Sequence, residues 1–219
     1  MRFVLLNIIL LMALGSFSQG PNSWEPSVDF ASGQRDRTVA FSVHGKGYVS
    51  CGVDTADIVH NDLWEFDATT QAWTQKANLP GSPRRNAVAF TINDFGYVGT
   101  GVDNVSAPAG NILNDFWKYN ALTNSWLSIA SFPGGTGTGV YFSTAFTGID
   151  KGYVCSGKIG PDSYIDEMWE YKPSIDQWTQ RADFPGGPRF HMVSYSVSGR
   201  AFIGLGANED VYLNDWWEY

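Results

Sequence analysis

"NDLWEFDATTQAW", residues Asn61–Trp73, returns as "NDFWKYNALTNSW" at Asn114–Trp126 and as "DEMWEYKPSIDQW" at Asp166–Trp178. A fourth, shorter copy, "NDWWEY", starts at Asn214. The motif's tryptophan falls at Trp64, Trp117, Trp169 and Trp217, in steps of 53, 52 and 48 residues. A second tryptophan follows nine residues later in each complete copy, at Trp73, Trp126 and Trp178. A period near fifty residues marks a stack of equivalent supersecondary units, none of which can bury its apolar surface alone.

Working upstream from the motif, "GYVSCG" (Gly47–Gly52) matches "GYVGTG" (Gly96–Gly101), "GYVCSG" (Gly152–Gly157) and "RAFIGLG" (Arg200–Gly206). Before these stand "TVAFSV", "AVAFTI", "STAFTG" and "MVSYSV", starting at Thr38, Ala87, Ser143 and Met192. Each unit therefore holds four short segments: an Ala/Val/Phe strand A, a Gly-Tyr-Val strand B, an Asp-x-Trp strand C and a Trp-Thr-Gln strand D. Turn-rich runs such as "DATTQ" (Asp67–Gln71) and "NLPGSP" (Asn78–Pro83) separate them. Trp64 and Phe66 share one face of strand C while Leu63 takes the other, so the sheet is covered on both sides. Four-stranded units of this length, stacked face to face, are the blades of a β-propeller.

Composition agrees. With 24 Gly, 9 Trp, 10 Tyr and 14 Phe in 219 residues, the chain reads as all-β with tight turns. A basic start, the apolar run "FVLLNIILLMALG" (Phe3–Gly15) and small residues at Ser16 and Ser18 predict a cleaved export leader over residues 1–18. The apolar run is short for a membrane span. Residues 19–219 then form the propeller, and the location expected is secreted, periplasmic or cell-surface. Net charge is −8 for the whole chain. An acidic balance disfavours nucleic acid and anionic lipid as partners, since both want a basic face. Cys51 and Cys155 occupy positions that point to opposite faces of equivalent strands, which favours two buried free thiols over a disulfide.

The glycine-ended strand "YVGTG" and the Trp nine residues after that of "FWKY" resemble kelch repeats, over almost the whole span from Trp24 to Tyr219. The nearest flavour is the long kelch-type repeat of exported bacterial proteins, with a propeller like the central one of galactose oxidase. Repeats run at about 35–83, 84–135, 136–187 and 188–219, with a further strand near residue 24. "SWEPSVDFASGQR" (Ser23–Arg35) aligns with "AWTQKANLPGSPR" (Ala72–Arg84), so the front of the chain carries an orphan strand D and the back an orphan strand C. Two readings follow. Either the Trp24 strand closes a four-blade ring, or the chain is the front part of a ring of six or seven blades; the resemblance favours the second.

In an up-and-down blade the D–A and B–C loops share one end. Arg35, Arg84 and Arg189 end the D–A loops, six residues before Phe41, Phe90 and Tyr195, and the third repeat has Val140 there instead. Asp54 and Asp103 open B–C loops on the same end, and His191 lies near Arg189. Guanidinium forks at a channel mouth suit a carboxylate or other anionic ligand, so these six residues are the candidate ligand-binding set. The repetition is also what intra-repeat ion pairs would produce. That second reading is the stronger one for Asp62, Asp115, Glu167 and Asp215 at the start of each strand C. Features unique to one blade are better functional hints: the loop Val102–Leu113 and the Gly-rich run Pro133–Phe142. The latter lacks the Lys-Ser/Thr of a phosphate loop.

No metal or other cofactor is expected. His44 belongs to the opposite end from His60 and His191, and "PDSYIDE" (Pro161–Glu167) lacks the ligand spacing of a calcium loop. The function expected is a non-catalytic binding module offering its loops to a protein or glycan. The resemblance implies one alternative, a carbohydrate-active propeller enzyme. Such an enzyme would be similar to sialic acid mutarotases, which need an acid/base group and an arginine, or to galactose oxidase, which needs a copper set that is not evident here.

Overall fold

The computed structural model describes residues 23–103, 110–209 and 211–219. The leader expected over residues 1–18 and the middle of the loop Val102–Leu113 lie outside them. Among the described residues there is no helix.

Three four-stranded antiparallel sheets follow one another. Blade 1 is β1 (Val39–Val43), β2 (Lys46–Ser50), β3 (Leu63–Asp67) and β4 (Ala72–Lys76). Blade 2 is β5 (Val88–Ile92), β6 (Phe95–Gly99), β7 (Phe116–Asn120) and β8 (Ser125–Ile129). Blade 3 is β9 (Thr144–Gly148), β10 (Lys151–Gly160), β11 (Ser163–Lys172) and β12 (Gln177–Gln180). Blade 4 has three strands, β13 (Val193–Val197), β14 (Arg200–Gly204) and β15 (Trp216–Glu218). Strand order within each sheet is chain order, as the A–D reading predicts. Two-residue turns set the A–B register: His44 and Gly45 both have positive φ, as do Ser198 and Gly199, which gives the hairpin the twist its strands need.

The apolar cores lie between blades rather than within them. One joins Val39, Phe41 and Leu63 to Leu79, Val98 and Tyr119; the second joins Phe90 and Phe116 to Val154 and Tyr171; the third joins Phe146 and Met168 to Ala201 and Ile203. The unit of packing repeats. Strands A and B of one blade stack two rings: Phe41 on Tyr48 (centroids 5.0 Å apart), Phe90 on Tyr97 (5.3 Å) and Phe146 on Tyr153 (4.8 Å). The next blade supplies a strand B residue without bulk and a strand C ring. Phe41 lies over Gly96, with Tyr119 at 6.2 Å; Phe90 lies over Gly152. An ideal Cβ on Gly96 or Gly152 would sit 2.2 Å from the phenylalanine ring, so at these two junctions the ring lies where a side chain would be. Fully burying each ring contributes about 1.5–3 kcal/mol. Cys51 and Cys155 are free and buried in different inter-blade cores.

Two features bear on the sequence readings. The segment near Trp24 does not complete blade 4, so of the two readings of that segment the four-blade closure is not seen. It runs as irregular backbone past blade 1, where Phe30 packs on Trp64 and Trp73 and Ser27 reaches Gln71, while Trp24 itself is exposed. The hairpin β10–β11 is twice as long as its counterparts, with register shifts after Cys155 and Lys158, and "PDSYIDE" forms its tip and returning strand.

Candidate functional site at the channel mouth

The repeated arginines build the blades. Arg35 donates to Asp62 at 2.6 and 3.1 Å, Arg84 to Asp115 at 2.8 and 2.7 Å, and Arg189 pairs with Asp215 in the same two-pronged way. Each also donates to a backbone carbonyl sixteen residues away, at 3.1 Å: those of Cys51, Thr100 and Leu205. The same aspartates accept the indole N–H of Trp64, Trp117 and Trp217. The arginine side chains are 1%, 0% and 2% exposed, so they face inward and their terminal nitrogens are taken, while Arg35 Nε finds no acceptor among the described residues. Here the structure corrects the candidate set: Arg35, Arg84 and Arg189 are the inner half of a framework ion pair and not a ring of open forks.

Blade 3 shows how the framework survives without the arginine. Glu167 replaces Asp, its extra methylene reaching the backbone N–H of Gly135 at 3.1 Å while it also accepts from Trp169 at 2.8 Å. The run Pro133–Phe142 thus supplies a backbone donor where the other blades supply a guanidinium. Gly139 is forced by contact, because a Cβ there would lie 2.0 Å from the Leu113 carbonyl oxygen.

Asp54 and Asp103 fold their own loops. Asp54 accepts from the N–H of Ala56 (2.9 Å) and Ile58 (3.0 Å) and contacts His60 Nε2 at 3.0 Å. The Ile58 N–H bond and then the His60 contact hold its carboxyl below the usual range. Asp103 accepts from both N–H groups of Asn111.

What faces the channel stands one and two residues beyond the arginine position. Arg37, Asn86, Phe142 and His191 are equivalent, and all four have left-handed backbones with φ of 55–56°. Each is tied to the next by its backbone: Asn86 N–H donates to the Arg37 carbonyl (3.2 Å), Phe142 N–H to Asn86 (3.2 Å) and His191 N–H to Phe142 (3.1 Å). Together with Asp36 and Met192 they line a recess of about 480 Å³. Of the six residues expected from sequence, His191 alone lines it. Asn86 is 7% exposed, and its Nδ2 finds no hydrogen-bond acceptor among the described residues. A buried amide donor of this kind asks for an acceptor, at a cost of about 1–3 kcal/mol when none comes.

The preceding positions, Asp36, Arg85, Tyr141 and Phe190, form an outer tier. Phe190 stacks on Tyr164 of the long hairpin (5.2 Å, 11° between planes), and Lys158 Nζ lies 4.7 Å from the Phe190 ring centre and 5.1 Å from that of Tyr164. Tyr141 Oη donates to the Gly160 carbonyl at 3.0 Å, pinning the hairpin beside the mouth. His191 packs on Phe142 (4.1 Å) and Phe190 (5.0 Å). Burial lowers its pKa below 6.5, and Lys158 and Arg37 add to that. Burial likewise lowers that of Arg85, and Arg37 adds to it. Arg37, Arg85 and Lys158 thus stand near one mouth, with Asp36 among them.

No protein-family model matches the chain, and no curated protein matches it by sequence. Among solved structures 184 chains match, so the architecture is a widely used one. One of them, titled "Structure of YjhT", aligns with a TM-score of 0.74 at 16% identity over 86% of this chain. The match spans 64% of the length of that chain. At this identity the likeness establishes architecture alone: the chain is an all-β, four-blade β-propeller arrangement, and its ligand must be argued from its own side chains.

Proposed function

We propose that the chain is an exported kelch-type binding module, without catalysis of its own, whose channel mouth takes a protein or glycan ligand through a carboxylate or comparable anionic group. The observation that carries this is the convergence of four non-repeating residues, Arg37, Asn86, Phe142 and His191, from four blades onto one recess. Framework residues repeat because every blade needs them, whereas residues that touch one ligand have no reason to. Lys158, held against the Tyr164 and Phe190 rings, adds a cation beside an aromatic surface, a combination that suits an anionic group carried on a sugar or side chain. An anion at this mouth offsets the repulsion among Arg37, Arg85 and Lys158.

The test is binding of the purified chain to matched glycans and peptides with and without an acidic group. Acidic members are expected to bind better, with affinity falling as salt rises. Arg37→Ala and Lys158→Ala are expected to weaken binding about tenfold each, the equivalent of about 1.4 kcal/mol, without a change in melting. Equal binding of neutral and acidic members would refute the reading.

One observation favours an enzyme. His191 stands in the same recess as Arg37 and Asp36, an imidazole with a guanidinium and a carboxylate, which is the minimum for acid/base chemistry on an acidic sugar. In that case His191→Gln abolishes turnover and leaves binding, whereas a binder loses affinity by degrees at every mouth position.

A further inference from the structure

Two donors of different kinds stand on neighbouring blades at the mouth. Asn86 belongs to blade 2, which packs between blades 1 and 3 of the same chain. Its main chain is fixed on both sides, the N–H donating to the Arg37 carbonyl and the carbonyl accepting from Phe142 N–H, each at 3.2 Å. Its side chain lines the recess with a buried Nδ2 that has no acceptor among the described residues. Arg37 meets Asp36 through Nε, at 3.5 Å, which leaves the two terminal nitrogens of the fork for a ligand. A carboxylate has two oxygens and can take one donor from each residue. The other polar groups of this region are largely spent. Ser143 Oγ donates to the Ser156 carbonyl (2.7 Å). Along the inner strands below, Thr91 donates to the Ser42 carbonyl (2.9 Å), Thr147 to that of Thr91 (2.7 Å) and Ser194 to that of Ala145 (3.0 Å). The rings are engaged as well. Tyr164 and Phe190 stack on each other, His191 lies on Phe142 and Phe190, and Tyr141 lies 5.3 Å from Phe142. A sugar needs partners for several hydroxyls and an open ring face to stack on, and here both are scarce.

We infer that the mouth takes the carboxy terminus of a peptide, with the terminal carboxylate between Arg37 and Asn86 Nδ2 and an apolar last side chain against Phe142 and Met192. The inference rests on the mouth being a site for an anionic group, and it chooses a peptide over a glycan. Three observations make the choice. The unspent donors are two in number and adjacent, which matches one carboxylate and not a ring of hydroxyls. The lining beside them includes Phe142, Ala87 and Met192, apolar groups that an apolar side chain covers and a sugar's hydroxyls do not satisfy. Asp36, next to Arg37, is an acceptor for the amide N–H of the ligand's last residue, which would otherwise lose its bond to water. Size agrees, since a recess of about 480 Å³ admits a chain end and not a folded surface. Capture of a chain terminus by fixed donors is a recurring mode of peptide recognition.

The experiment is calorimetric titration of the purified chain with N-acetylated tetrapeptides ending in Leu or Phe. Each is used as the free acid and as the carboxy-terminal amide, and glucuronic acid serves as a sugar bearing the same anionic group. The free acids are expected to bind about tenfold or more tightly than their amides and than glucuronic acid. Asn86→Gly removes the donor and keeps a residue at ease with the left-handed backbone. Because Nδ2 has no partner inside the protein, this variant is expected to melt within about 3 °C of the parent. It is also expected to lose most of the preference for acid over amide. Arg37→Gln is expected to lose that preference too, with the fold unchanged by circular dichroism. Glucuronic acid binding as tightly as the peptides would overturn the inference and leave an anionic mouth standing. Acids and amides binding alike would overturn both readings. The inference also falls if no acid peptide binds at millimolar concentration, if Asn86→Gly keeps the preference, or if that variant melts far below the parent.

Discussion

Replacing Arg84 by alanine separates the framework role of the arginines from a role at the mouth. The guanidinium is fully buried, makes two bonds to Asp115 and donates to the carbonyls of Thr100 and Ser82. Removing one member of a buried, hydrogen-bonded ion pair costs about 3–5 kcal/mol. Asp115 keeps its bond from Trp117, and its side chain is 32% exposed, so water recovers part of its solvation. That places the loss near the lower limit, about 3 kcal/mol. For a chain of this size each kcal/mol moves the melting midpoint by about 2–4 °C, so Arg84→Ala is expected to melt about 6–12 °C below the parent. The control is Arg37→Ala. Arg37 is exposed and its ion pair to Asp36, at 3.5 Å, is on the surface, so its loss costs about 0.5 kcal/mol or less. Differential scanning fluorimetry and urea titration of the three proteins make the comparison. If Arg84→Ala melts within about 2 °C of the parent, or if Arg37→Ala costs as much, the division between framework and mouth is wrong.

Three further outcomes follow from the same contacts. Burial alone would raise the carboxyls of Asp115 and Glu170, but bonds from Arg84 and Trp117, and from Arg181, Lys151 and Tyr153, outweigh it and hold both low, Glu170 at about 2. A depressed native pKa stabilises above the unfolded value and the effect is lost as pH falls through the native one. Urea midpoints should therefore be level from neutral pH down to the ordinary carboxylate range and fall steadily below it. Gly152→Leu should destabilise by about 1–3 kcal/mol or more, since even its Cβ meets the Phe90 ring at 2.2 Å, and chemical denaturation reads this directly. Burial pushes the thiols of Cys51 and Cys155 up to about 11 and about 12, so Ellman's reagent should find no reactive thiol in the native protein and both in guanidinium.

Strands A to D were legible because each writes its own period: alternation in "VAFSV", glycine before Tyr-Val, and paired aromatics two apart in "LWEF". The arginines were legible as a pattern and ambiguous as a role. Sequence gives their recurrence but not the direction of the side chain, and their partners lie 27, 31 and 26 residues downstream, across the sheet. The mouth residues carry a signal of the opposite kind. They differ at one register position, 37, 86, 142 and 191, which becomes visible only once the arginine has fixed the alignment. Lys158 and Tyr164 were hidden because Gly157, Gly160 and Pro161 read as a loop, whereas two register shifts absorb the extra residues and let the hairpin continue. The path of residues 23–34 was hidden as well, since spacing shows that a strand D could exist but not which neighbour it lies against.

The backbone link from Arg37 through Asn86 and Phe142 to His191 has an evolutionary consequence. Its three bonds run between main-chain groups, so any of the four side chains can be exchanged without cutting them. The left-handed backbone sets the one toll, about 1–2 kcal/mol for most residues and least for Gly and Asn, and it is highest for β-branched ones. Four adjacent sites are thus open to rewriting while the scaffold beneath them stays constant. A library randomised at these positions, leaving out Pro, Val, Ile and Thr, should yield mostly folded proteins that differ in what they recognise.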